Sequence, residues 1–125
     1  MADAELWTVD RANAALPRVE AALLRIRDLV AEARRERDDM AGLREGNGHP
    51  AGPRGAEALR AAVEALTGEG IILRDLDAGL VAFPARLDDG RRYLLCWVLG
   101  EPAVEWWHWP EAGFAGRRPL SDPPA

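Results

Sequence analysis

Apolar residues recur at alternating intervals of three and four along the first third of the chain, the spacing of a helix with one buried face. The positions are Leu16, Val19, Leu23, Ile26, Val30, Ala33 and, beyond a break at Arg37, Met40. Thr8 is a good N-cap, and Pro17 removes one backbone hydrogen bond. The pattern therefore predicts a long kinked helix over residues 8–43, and the mixed charges between the apolar positions indicate a solvated face.

A Gly- and Pro-rich stretch separates this helix from a shorter one. Residues 44–55 predict a flexible loop, and apolar residues three and four apart predict a second helix over residues 56–68. At about 1.5 Å rise per residue, the second helix is under half as long as the first. It cannot cover the whole apolar stripe, so we expect a homodimer through the long helix.

Residues 71–109 change to short apolar runs separated by Asp–Gly turns, which is typical of antiparallel strands. In the longest run, residues 93–99, both alternating faces are apolar, so we expect cover on both sides of the sheet. Residues 110–125 predict an irregular C-terminal segment. The chain is therefore expected to form one α+β domain over residues 1–125, with both helices packed on an antiparallel meander of three or four strands.

Composition excludes several kinds of chemistry. All 16 basic residues are arginine, which excludes a Schiff-base lysine and a P-loop lysine. The one serine, Ser121, lies in the C-terminal tail, so we also exclude a serine nucleophile. A net charge of −5 without a basic cluster argues against nucleic acid.

The chain also predicts a location. No apolar run is long enough to cross a membrane, and the first ten residues are acidic rather than basic and apolar. The single cysteine, Cys96, has no partner for an internal disulfide and fits a reducing compartment. We therefore expect a cytoplasmic protein without a membrane association.

Residues 101–119 concentrate three tryptophans, one histidine, three carboxylates and two arginines. Our first hypothesis is a non-enzymatic module for a small anionic ligand or a protein partner, in which the ligand contacts Arg117, Arg118, Trp107 and His108. The alternative for the arginines is pairing with nearby glutamates across the hairpin. No resident cofactor is expected in either case.

The second hypothesis is a site for a divalent transition metal, which could serve as a hydrolytic centre. It would use His108 and Glu101 together with Asp75 or Asp77. A lone histidine with distant carboxylates is a poor zinc pattern, and aspartates before a glycine are also ordinary turn residues. Cys96 and His108 could also form a nucleophile–base pair, but only if the strand register puts both on one face.

The segments LWTVDRANAALPRV, RDLDAGLVAFPA, YLLCWVLGEPAVEWWH and GFAGRRPL together resemble a bacterial family known as domain of unknown function 2203. The resemblance implies a small cytoplasmic protein without an established activity. In that family an Asp usually stands at the position of Ala82, and an acidic residue at that of Trp109. The resemblance thus implies that any site built on those acids would be lost in this chain.

Overall fold

A computed structural model of the chain describes residues 6–43 and 52–125. Two helices precede a five-stranded antiparallel sheet whose strands lie in sequence order. The elements are α1 (Val9–Leu43), α2 (Gly52–Thr67), β1 (Ile72–Asp75), β2 (Leu80–Arg86), β3 (Arg92–Val98), β4 (Trp106–His108) and β5 (Arg118–Pro119). The predicted α+β architecture is confirmed. The sheet has one strand more than the upper prediction of four, because the C-terminal segment pairs with β4 through Arg118 and Pro119.

Helix α1 begins where the sequence indicates. The hydroxyl of Thr8 accepts a hydrogen bond from the backbone N–H of Arg11 at 3.1 Å, which is the N-cap interaction. The backbone N–H of Trp7 donates to the carbonyl of Pro84 at 2.7 Å and so joins the start of the helix to β2. Pro17 lies in the third turn, and the helix continues through it to Leu43.

Helix α2 begins earlier than predicted. It starts at Gly52 rather than at residue 56, so residues 52–55 of the predicted loop are helical. Pro53 is compatible with this start, since the N–H groups of the first turn have no partner within a helix and proline lacks one. The rest of the predicted loop, residues 44–51, lies outside the described residues.

The predicted apolar stripe of α1 faces the sheet. Val19, Leu23 and Ile26 are buried, whereas Leu16, Val30 and Ala33 are half-buried. The side chain of Met40 lies outside the described part. The core cluster joins this stripe to inward residues of the sheet and α2: Leu66, Val81, Phe83, Ala85, Leu95, Trp97 and Trp107.

The strand register divides the sheet into two faces. Leu95 lies opposite Phe83 on β2 and Trp107 on β4, and these residues form the helix face, packed against α1. Cys96 lies opposite Ala82 and Trp106, which belong to the other face, called the outer face below. Among the described helices, none is long and apolar enough to cross a membrane.

Gly79, in the turn before β2, provides a test of this packing. Its φ is +73°, and a Cβ there would lie 2.7 Å from the Cβ of Leu99. Gly79→Ala should lower the free energy of unfolding by about 2–4 kcal/mol, since left-handed strain and overpacking add. Urea unfolding followed by tryptophan fluorescence measures the change.

Gly90→Ala is the matched control for this substitution. Gly90 also has a positive φ, +95°, but open space surrounds its Cβ position. Gly90→Ala should therefore lower the free energy of unfolding by only about 1–2 kcal/mol. Equal losses in the two variants would contradict a close approach between Gly79 and Leu99.

Candidate functional site

The outer face of the sheet is buried without help from the helices. Ala82, Leu94, Cys96 and His108 are all buried there, and none belongs to the core cluster around α1. The chain after β4 crosses this face with a one-turn 3-10 helix, Phe114–Gly116. Gly113, whose φ of +69° is unfavourable for other residues, precedes that turn.

A cavity of about 250 Å³ remains between the sheet and this segment. The residues that line it include Arg74, Leu80, Ala82, Cys96, His108 and Phe114. Phe114 is 40% exposed, so the wall that it forms also reaches solvent. An apolar cavity of about 150 Å³ is enough to bind benzene, so a ligand with one ring fits here.

His108 lines this cavity, and one hydrogen bond defines the tautomer of its uncharged ring. Its Nδ1 lies 2.7 Å from the backbone carbonyl oxygen of Trp109. A carbonyl oxygen can only accept, so Nδ1 carries the proton and, in the uncharged ring, Nε2 holds the lone pair. Among the described residues, none donates a hydrogen bond to Nε2.

Cys96 and His108 lie on the same face but do not form a nucleophile–base pair. The pairing of Leu94 with His108 gives the register that allows them to share a face, and Cys96 is diagonal to the histidine. Burial raises the pKa of the Cys96 thiol to about 11. The positive charge of Arg117 lowers this pKa, but by less than burial raises it. Smaller effects come from Glu101, which raises the pKa, and from Arg74, which lowers it. The thiol is therefore protonated near neutral pH, and only a thiolate is a good nucleophile.

Arg74 is the cationic side chain of this cavity, and it was not among the predicted site residues. It is exposed on β1, and among the described residues no carboxylate lies within ion-pair distance of it. Arg74 lies almost thirty positions before residues 101–119, where the other candidate residues are concentrated. The signal in the sequence was strand alternation: Arg74 lies two residues after Ile72 and therefore on the same face of the sheet. Ile72 pairs with Ala82, which belongs to the outer face.

Arg117 is held by contacts within the chain. Its guanidinium lies 4.6 Å from the ring centroid of Trp106 and 4.4 Å from that of Phe114. Its Nη1 is 3.0 Å from Oε2 of Glu101, and Oε1 of that glutamate accepts from the N–H of Val98 at 3.0 Å. Of the two alternatives for Arg117, the structure shows the pairing with a glutamate.

The structure does not bring the four predicted ligand residues together. Trp107 is buried on the helix face, and its Nε1–H donates to the carbonyl of Asp122 at 2.8 Å. Arg118 lies opposite Trp107 in the strand register, and its guanidinium carbon is 5.7 Å from the centroid of the Trp107 ring. Arg117 and His108 belong to the outer face. Of the predicted set, only His108 lines the cavity.

The predicted metal ligands are also separated. Asp75 accepts from the N–H of Ala78 at 3.0 Å in the turn after β1, and Asp77 is ion-paired with Arg34 of α1 at 3.6 Å. Glu101 is engaged by Arg117, as described above. Within residues 6–43 and 52–125, no three histidine, cysteine or acidic side chains are placed to hold a metal ion. Ala82 stands on the cavity wall opposite Cys96.

Comparison with known proteins identifies a family that covers most of the chain. The profile of a family described as "Uncharacterized conserved protein (DUF2203)" matches residues 5–120. No curated protein and no solved structure matches the chain.

The contacts of Arg117 predict a structural role for this residue. Arg117→Ala should lower the free energy of unfolding by about 1–3 kcal/mol, since it removes two ring contacts and leaves Glu101 half-buried without its cation. Thermal and urea unfolding measure this loss. Arg118→Ala is the matched control, and the loss there should be about 0.5 kcal/mol or less, since that side chain is exposed. Similar losses in both variants would contradict the structural role.

Proposed function

Since the chain belongs to the DUF2203 family, which is described as uncharacterised, we propose its function from the outer-face cavity. The protein is a non-enzymatic binding module that holds a small anionic ligand there. Arg74 binds the anionic group, and the apolar wall of Leu80, Ala82 and Phe114 contacts the rest of the ligand.

One observation carries this proposal: Arg74 is an arginine without a described carboxylate partner at the wall of an apolar cavity. Arg117, by contrast, is neutralised by Glu101. Ligand sites are typically apolar concavities with a few polar groups that orient the ligand, and this cavity has that composition. Its volume, about 250 Å³, selects a ligand with about one ring.

Binding is favoured over catalysis by the state of Cys96. The thiol is the nucleophilic group in the cavity wall, and burial holds its pKa near 11. A nucleophile needs either a lowered pKa or an adjacent base that removes its proton. The histidine of the same cavity, His108, is diagonal to Cys96 and directly opposite Leu94.

Benzoate is a suitable probe of the anion site, with benzamide as its uncharged counterpart. Millimolar benzoate should shift the amide NMR signals of Ala82, Cys96 and Phe114. Arg74→Gln should weaken benzoate binding about threefold to fivefold, the usual strength of an exposed ion pair, and leave benzamide unaffected. Arg60→Gln, at an exposed position on α2, is the control and should leave both affinities unchanged.

Two results would contradict this proposal. The first is that benzoate shifts no signal of the cavity residues. The second is that Arg74→Gln and Arg60→Gln have equal effects on its affinity.

We also propose that the protein is a homodimer and that it is cytoplasmic, as the sequence predicts. Helix α1 has 35 residues and α2 has 16, so α1 exceeds α2 by about 28 Å. Beyond Ile26 the apolar stripe continues with the half-buried Val30 and Ala33. Charges of both signs flank that part of α1, which suits pairing with an antiparallel second copy. The single free cysteine supports a reducing compartment.

Light scattering coupled to gel filtration tests the dimer. We expect twice the mass of one chain, decreasing toward the monomer mass only on strong dilution, because two apolar stripes cover each other. The mass of one chain at every concentration would contradict the dimer and leave the cavity proposal unaffected.

A further inference from the structure

We propose that the ligand of the outer-face cavity is bifunctional: it carries an anionic group at one end and a hydrogen-bond donor at the other, separated by an apolar body. This inference depends on the proposed function, since it concerns the same cavity. It names the class of ligand, for which a small hydroxylated aromatic carboxylate is the simplest example.

The two polar groups of the cavity lie at opposite sides of it. Arg74 is on β1 and His108 is on β4, with β2 and β3 between them. Three inter-strand spacings amount to about 14 Å between the two backbones. The side chains shorten this span from both ends, but the apolar surface of Leu80, Ala82 and Cys96 lies between them. A single carboxylate that binds Arg74 therefore leaves His108 without a partner.

The hydrogen bond of His108 selects the second functional group. Because Nδ1–H donates to the carbonyl of Trp109, Nε2 is an acceptor in the uncharged ring. His108 is 2% exposed, and no described residue donates to Nε2. Nε2 is not among the described buried atoms that lack a partner, so it is accessible from the cavity, where a hydroxyl or N–H of the ligand can donate to it in place of water. An ether or a second carboxylate at that end has no proton to donate.

A series of three carboxylates on the full-length chain tests this inference. The probes are benzoate, 4-hydroxybenzoate and 4-methoxybenzoate, with affinities measured by NMR titration. 4-Hydroxybenzoate should bind about twofold to tenfold tighter than benzoate, the usual net effect of one hydrogen bond. 4-Methoxybenzoate has a similar shape without the donor, and it should bind no tighter than benzoate.

His108→Asn is the matched variant. Its amide N–H can replace Nδ1–H in the bond to Trp109, while the acceptor at the position of Nε2 is lost. In this variant 4-hydroxybenzoate should lose its advantage, and the affinity for benzoate should stay the same. Should the variant fail to fold, the comparison of the three probes on the unsubstituted chain still decides the question.

The outcomes separate this inference from the proposed function. If benzoate and 4-hydroxybenzoate bind equally well, the anion site stands and the bifunctional ligand is overturned. If the advantage of 4-hydroxybenzoate persists in His108→Asn, the role of His108 is overturned. If none of the three carboxylates shifts the signals of the cavity residues, both proposals are overturned.

Discussion

The central strand β3 must be covered on both faces, and most of the architecture follows from this requirement. Leu95 and Trp97 face one way, Leu94 and Cys96 face the other, and all four are buried. At about 25 cal/mol per Å² of apolar surface, leaving either face in water would cost several kcal/mol. Helix α1 covers the first face, and the chain after β4 covers the second.

The two covers differ in how they are held. The helix face is closed by a continuous apolar core. The outer face is closed by a short segment that contributes Phe114 and is fastened through Arg117, between two aromatic rings and Glu101. A single turn cannot fill the whole area above the outer face, so a cavity remains beside Cys96 and His108. The candidate site therefore arises because β3 is apolar on both faces and only a short segment covers the outer one.

Much of the fold was predictable from local patterns. The three- and four-residue spacing of α1 and the Asp–Gly turns between strands indicated the α+β meander, and the structure confirms it. The start of α2 was placed late, because a Gly- and Pro-rich composition indicates a loop although Pro53 is compatible with the first turn of a helix. Strand β5 was missed, because a two-residue strand has no periodicity of its own.

The sequence by itself determined the helices, the antiparallel strands and the two apolar faces of β3. These features follow from periodicity and residue type, which act over neighbouring positions. Only the tertiary structure decided which arginine is neutralised and which lines a cavity. Ion pairing requires side chains within about 4 Å, and the register and loop paths that bring Arg117 to Glu101, and Arg74 to the face of Cys96, are not encoded in local spacing.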